Sequence, residues 1–327
     1  MGENGQHAPG GAAAIVTALA EAGTSVLFGV PGGGPNLDVV GAAAAAGLRF
    51  VLTHTETAAV IMAATYADLT GRPGAAVVTR GPGLASAVNG IAHAALDRLP
   101  VVVIADTVRA AEAGRISHQR LDLAGLGRSA GKNAITVGRD RTAEAAAEAV
   151  RQALQPPAGP VVALMDDSGV SGPWPAGGGR SSGAELSCGG ERGSGGDAAV
   201  LAAALGSARR PLVMVGAGAI KHAGVVRAAL TGPGLPVLHT YRARGIMPDS
   251  GAEAAGLVTG ATMEWPLLAG CDLILGLGVD EAEMIPAPWD YGARTLLVAG
   301  HPPEGPAYFT GATALDLTVP EALEVLA

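Results

Sequence analysis

Short aliphatic runs, each followed by a helix-length segment rich in alanine, recur along the chain and leave few folds open to it. A strand buried on both faces reads as a continuous apolar run, and a helical connection is what returns the chain to add the next strand in parallel. The rhythm predicts helices over 11–22, 35–46, 57–70, 84–96 and 141–154, alternating with strands over 25–29, 49–53, 74–79, 101–105 and 160–165. It resumes with helices over 197–206, 221–230, 262–269 and 320–326 and strands over 211–216, 236–239, 273–277 and 294–298. Between the two series, 167–196 is dominated by Gly, Ser and Pro, which suits a linker and not a packed element. The expected fold is therefore α/β, with two doubly wound parallel-sheet domains: residues 1–168, a linker over 169–196, and a Rossmann-like domain over 197–327.

With 327 residues, each domain has chain enough for a core of its own, and at 49% hydrophobic but only 3% aromatic that core must be built from Ala, Val and Leu. A net charge of −8, without a basic run to neutralise a row of phosphates, excludes nucleic acid as the expected partner. The two cysteines, Cys188 and Cys271, have neither CxxC spacing nor a neighbouring histidine, so neither a disulfide framework nor a zinc site is expected. No metal site is expected from this chain's own side chains. The amino terminus, MGENGQHAPGG, lacks the basic flank and apolar run of a signal peptide, and no apolar stretch reaches the roughly 18 residues a membrane helix needs. The expected setting is the cytoplasm.

Three segments at strand ends carry polar or glycine-rich chemistry. Phe28 to Pro35 reads FGVPGGGP, a strand running into a glycine turn. A tight strand-to-helix turn accounts for it as well as a ligand cradle does, and it has neither Gly-x-Gly-x-x-Gly spacing nor a Walker lysine. Thr53-His54-Thr55-Glu56 is a polar corner leading into an apolar helix, where Glu56 either complements the helix dipole or serves chemistry. Thr79-Arg80-Gly81-Pro82-Gly83 follows the next strand, and its helix bears Asn89 and His93 four residues apart. Glycine beside proline permits close backbone approach to a ligand or simply makes a turn.

Taken in order, FGVPGG, then HTETAAVIMAATYAD, GPG with NGIAHA, LDRLPVVVI and HQRLD, the chain resembles the pyrimidine-binding domain of the acetolactate synthase branch of thiamine-diphosphate (ThDP) enzymes. The resemblance covers roughly residues 11–165. The second domain is similar to the central domain of that branch, through Gly216-Ala217-Gly218-Ala219-Ile220 after a strand, Ile246-Met247-Pro248, and the run from Ala269 to Gly278.

The resemblance implies that Glu56 is the catalytic glutamate that hydrogen-bonds N1′ of the aminopyrimidine and thereby promotes loss of the thiazolium C2 proton. It implies that Pro31 and Gly32 approach the pyrimidine from one side while Gly81, Pro82 and Asn89 shape the loop beside it. His93 stands where an asparagine is common in the family, and His118-Gln119 where Phe-Gln is common. Lys132 matches a lysine near the substrate channel. His93, His118, Gln119 and Lys132 are thus the candidate substrate contacts.

Full-length members carry Gly-Asp-Gly and a downstream Asn that hold Mg²⁺ and, through it, the diphosphate, and this sequence has no Gly-Asp-Gly. The implied arrangement is a hetero-oligomer, α2β2-like, in which a separate subunit supplies Mg²⁺ and diphosphate binding and the substrate is a small 2-oxo acid. A non-catalytic paralogue that regulates or scaffolds a full-length ThDP enzyme is the alternative. Acetolactate synthases also carry a basic residue after the last of the central-domain glycines that helps hold FAD. Here the sequence reads Gly278-Val279-Asp280-Glu281-Ala282-Glu283, three acids that would repel a pyrophosphate, which makes FAD doubtful.

Overall fold

The computed structural model describes residues 10–107, 119–138, 141–165, 195–258, 263–284, 289–298 and 308–326. The chain divides into two compact units, Met1–Leu186 and Ser187–Ala327, and each holds one all-parallel six-stranded sheet.

In the first unit the order is α1 (Gly11–Glu21), β1 (Val26–Val30), α2 (Pro35–Ala45), β2 (Arg49–Leu52), α3 (Glu56–Thr70), β3 (Gly74–Val78), α4 (Pro82–Leu96), β4 (Val101–Asp106), α5 (Leu123–Ala130), β5 (Asn133–Val137), α6 (Thr142–Leu154) and β6 (Val161–Met165). The strands lie in the order β2-β1-β3-β4-β6-β5. Because side chains alternate across a strand, each aliphatic run feeds two cores. Leu27, Ala75, Val77, Val102 and Ile104 pack against Ile15 of α1, Val39 of α2 and Val150 of α6. Phe28, Ala76, Val78, Val101 and Val103 pack against Val60 of α3, Ile91 of α4 and Leu123 of α5. β3, β4 and β6 are buried over their whole lengths, as strands covered on both faces must be.

Two elements here were not expected from the sequence, α5 and β5. The α5 sequence, LAGLGRSA, holds two glycines and reads as a loop. Gly127 is required there because a Cβ would stand 3.0 Å from both Ala134 and Val162. β5 is an edge strand with little of the aliphatic signal. Helix α4 starts at Pro82 and not at Leu84, since proline is well suited to a first helical turn that needs no N–H donor.

The second unit holds α7 (Gly195–Ser207), β7 (Pro211–Val215), α8 (Ala223–Leu230), β8 (Val237–His239), β9 (Ala254–Leu257), α9 (Trp265–Gly270), β10 (Leu273–Leu277), β11 (Arg294–Val298), β12 (Thr313–Ala314) and α10 (Val319–Leu326). Its strand order is β12-β11-β10-β7-β8-β9. The expected helix over 221–230 divides into a 3₁₀ turn, Ala217–His222, and α8. The short edge strands β9 and β12 were not expected either, because two to four residues carry no readable period.

In both sheets the first strand lies inside the sheet, the next strand is added on one side and a later one on the other. The carboxyl ends of β1 and β3 in the first unit, and of β7 and β10 in the second, therefore flank a topological switch point, where the loops diverge and leave a crevice. Among the described residues no helix is long and apolar enough to cross a membrane.

The helix layer sits hard on the first sheet where α3 crosses the start of β3: a Cβ on Gly74 would collide with the backbone oxygen of Ala63. Replacing Gly74 by Ala should destabilise the protein by about 1–3 kcal/mol, as overpacking does, visible as a lower urea midpoint at an unchanged slope.

Candidate functional site

The loops leaving β1, β2 and β3 converge at the switch point of the first sheet. The glycine turn after β1 is fixed by a chain of hydrogen bonds that ends on a buried acid. Gly32 N–H donates to Asn36 Oδ1 at 2.8 Å, and Asn36 Nδ2 donates to Asp106 Oδ1 at 3.0 Å. The same Asp106 oxygen accepts Arg80 N–H at 2.8 Å, while Asp106 Oδ2 pairs with Arg80 Nε at 2.8 Å. Arg80 Nη1 reaches Thr107 O at 3.3 Å. Asn36 and Asp106 are buried, so neither can fall back on water, and each depends on the other's geometry. One carboxylate thereby fastens the turn after β1 to the turn after β3.

Thr79 lies between the glycines of those turns. A Cβ on Gly32 would collide with Thr79 Oγ1, and one on Gly83 would stand 2.6 Å from Thr79 Cγ2. That Gly83 Cβ would also be 3.6 Å from Glu56 Oε1, so the Glu56 carboxylate stands over the first turn of α4. Glu56 is the first residue of α3, whose N-cap Thr55 accepts Ala58 N–H at 3.1 Å. Thr57 Oγ1 donates to Ser86 O, and Gly90 leaves room for Val60 and the Thr57 carbonyl, which holds α3 and α4 side by side. The carboxylate is half-buried and sits among the positive ends of two helices. Ala59 is fully enclosed beside it, whereas Met62 is 40% exposed.

Gly81 has φ +63°, a left-handed conformation that suits glycine, and a Cβ there would collide with the Gln119 carbonyl. Gln119 is itself left-handed at φ +57° and stands on the lip of a cavity of about 260 Å³ lined also by Thr107, Leu121, Asp122 and Leu164. Gly33 and Gly34 face open space, with no atom within 4 Å of where a Cβ would be. The structure thus brings Pro31, Gly32, Glu56, Gly81, Pro82 and Gln119 to one edge, with bare backbone on the side of the glycine turn.

Domain models of one family match both halves of the chain. The description "Thiamine pyrophosphate enzyme, N-terminal TPP binding domain" matches residues 10–126, and "Thiamine pyrophosphate enzyme, central domain" matches residues 198–295. This chain belongs to the thiamine pyrophosphate enzyme family. It is 30% identical over 298 residues to the catabolic acetolactate synthase of Raoultella terrigena, covering 88% of this chain and 52% of that protein. It is 29% identical over 281 residues to a probable 2-ketoarginine decarboxylase of Pseudomonas aeruginosa, covering 83% and 48%. It is 32% identical over 283 residues to an acetolactate synthase of Mycobacterium bovis, covering 82% and 44%. The chain spans about half the length of these relatives.

Within this thiamine pyrophosphate enzyme chain, three other expected site residues lie elsewhere. Asn89 is exposed on α4, about 9 Å along the helix axis from Gly83. His93 is exposed one turn further, its Nδ1 3.7 Å from Asp97 Oδ2. Lys132 precedes β5 at the opposite edge of the sheet, where Nζ donates to the carbonyls of Gln152, Gln155 and Pro157 at 2.8, 2.6 and 2.8 Å. An ammonium held by three carbonyls ties α6 to the start of β5. His118 lies outside the described residues.

The sequence reading marks Thr79 and Arg80 only as part of a motif and does not mark Asn36 or Asp106 at all. A signal for Asp106 was present: a carboxylate closing the otherwise aliphatic strand VVVIAD has to find a buried cation or donors. Substituting Asp106 by Ala removes the acceptor for Asn36 and Arg80 together. With the Arg80 side chain 28% exposed, the loss should be about 2–4 kcal/mol. Chemical denaturation measures it.

Proposed function

We propose that this chain is one subunit of a heteromeric ThDP-dependent enzyme acting on 2-oxo acids, by decarboxylation, by acyloin- or acetolactate-type carbon–carbon ligation, or by both. The observation that carries the reading is the Glu56 carboxylate standing over Gly83, where two glycine-rich turns meet. The open backbone at Gly33 and Gly34 and the close-packed Gly32 leave a face on which a flat aminopyrimidine can lie. Pro31 and Gly32 would hold one side of that ring, and Gly81 and Pro82 the other.

When bound, the cofactor supplies the carbon nucleophile that adds to the 2-oxo carbon and then takes up the electron pair released by decarboxylation. The protein's part is a proton. Glu56 would share one with N1′ of the pyrimidine, and its position at the first turn of α3 would orient the carboxylate for that exchange. Gln119, which lines the neighbouring cavity, would meet substrate.

In this reading Mg²⁺ and the diphosphate are held by a second chain, because two phosphates cannot be buried without a cation. Support comes from the match to the N-terminal and central domain models. It comes also from apolar side chains exposed near the loops, Leu37 at 57% and Leu52 at 69%, which suit burial against a partner. The assembly would be α2β2-like and would work in the cytoplasm.

Mixing the chain with a candidate Gly-Asp-Gly subunit, ThDP, Mg²⁺ and pyruvate or another 2-oxo acid should give CO₂ release or an acyloin product. Glu56→Gln should lower that turnover by about 10²–10⁴-fold, the usual worth of positioned acid–base help. Unchanged turnover in Glu56→Gln would favour a scaffolding subunit instead, and no product with any partner or 2-oxo acid would count against catalysis altogether.

A further inference from the structure

The switch point of the central domain is built differently from that of the first. In a dinucleotide-binding sheet, the turn after the first strand offers its N–H groups to a pyrophosphate lying in the crevice. That turn here is Gly216-Ala217-Gly218-Ala219, after β7, and every one of its donors is already engaged. Ala217 N–H donates to Glu283 Oε2 at 3.0 Å and to Oε1 at 3.2 Å. Gly218 N–H donates to Gly278 O at 2.9 Å, and Ala219 N–H to Gly216 O at 3.0 Å.

The space is taken as well. The turn after β7 rests directly on the turn after β10: a Cβ on Gly216 would collide with Gly278 O and Val279 Cα and stand 2.8 Å from Glu283 Oε2. Gly278 has φ +63°, and a Cβ on it would stand 2.5 Å from Ala219 N. Glycine at these positions therefore serves contact between two turns, and leaves no room for a phosphate between them.

Glu283 reaches this place from outside both turns. Besides Ala217 N–H it accepts Thr240 Oγ1 at 2.5 Å, from the residue after β8, and Asp280 N–H at 3.2 Å, in a capping box that fixes its rotamer. Its carboxylate thus collects donors from three loops at the carboxyl edge of the sheet, as a bound phosphate would. Burial raises its pKa, and the donors from Thr240, Ala217 and Asp280 oppose that rise. The other two acids are also engaged, Asp280 Oδ1 with Ala282 N–H at 2.9 Å and Glu281 Oε1 with Tyr308 N–H at 2.9 Å. The sequence suggests three acids repelling a pyrophosphate from a distance. The structure replaces that picture with one acid seated in the crevice.

We infer that Glu283 occupies, with its own carboxylate, the anion position of the central-domain crevice, so that this chain binds no FAD although the family resemblance raises that cofactor. The inference is independent of the proposed activity, since it needs neither partner nor turnover. Two measurements on the purified full chain test it: titration with FAD and with ADP, followed by flavin fluorescence and calorimetry, and thermal unfolding in acetate or phosphate against chloride at equal ionic strength. Wild type and Glu283→Gln, which keeps an oxygen on the same donors, should show no saturable FAD or ADP binding and a Tm that is the same in all three salts. Glu283→Ala should unfold several degrees lower in chloride and recover in acetate or phosphate as the added anion takes the vacated donors. Saturable FAD or ADP binding by wild type overturns the inference, and so does a Glu283→Ala protein whose Tm responds to acetate no more than wild type does. Should Glu283→Ala fail to fold in any of the salts, the titrations of wild type and Glu283→Gln decide the matter alone.

Discussion

The Asp106 carboxylate, buried at the end of β4, is the interaction on which the first domain's ligand edge depends. An acid in that position is expensive unless every lone pair it exposes is met, and here Arg80 and Asn36 meet them. The consequence reaches past Asp106 itself. Asn36 carries the constraint to Gly32, and Arg80, the residue before Gly81, carries it to the second turn, so both glycine turns inherit a fixed position from one carboxylate. Glycine turns are conformationally permissive, and they make a defined surface only when something else restrains them. Glu56 acquires its place in the same way, from the packing of α3 beside α4.

The two domains treat the same topological feature in opposite ways. Both sheets are parallel, both reverse strand order beside their first strand, and both place glycines at the turn that follows it. In the first, the turns after β1 and β3 are held by a network lying beneath them, and Gly33 and Gly34 remain uncovered. In the second, the turns after β7 and β10 touch and Glu283 caps them. A parallel sheet supplies a crevice as a matter of geometry. Whether a ligand can use it depends on whether the backbone donors at its rim are left over.

Much of the fold was legible because fully buried strands and alanine-rich helices leave strong, repetitive signals. β3, β4, β10 and β11 stand nearly where the aliphatic runs put them. The elements that escaped, α5, β5, β9 and β12, are short, lie at edges or contain glycines whose purpose is close packing. Glu56 and the turns at Gly32 and Gly81 are candidates that residue type and local position suffice to mark. The partners of Lys132 were not legible, because nothing in its neighbours reveals that three carbonyls from the end of α6 converge on its ammonium.

The sequence by itself determined the kinds of element, their parallel pairing, the division into two α/β domains and the placing of one carboxylate at the start of α3. Those properties follow from periodicity and from steric preferences that act within a few residues. Tertiary structure decided which turns meet and which polar groups remain for a ligand. Asn36 and Asp106 are 70 positions apart, and Glu283 lies 66 from Ala217 and 43 from Thr240. Hydrogen bonding and desolvation act over a few ångströms of space, and only folding brings residues so distant in the chain within that range.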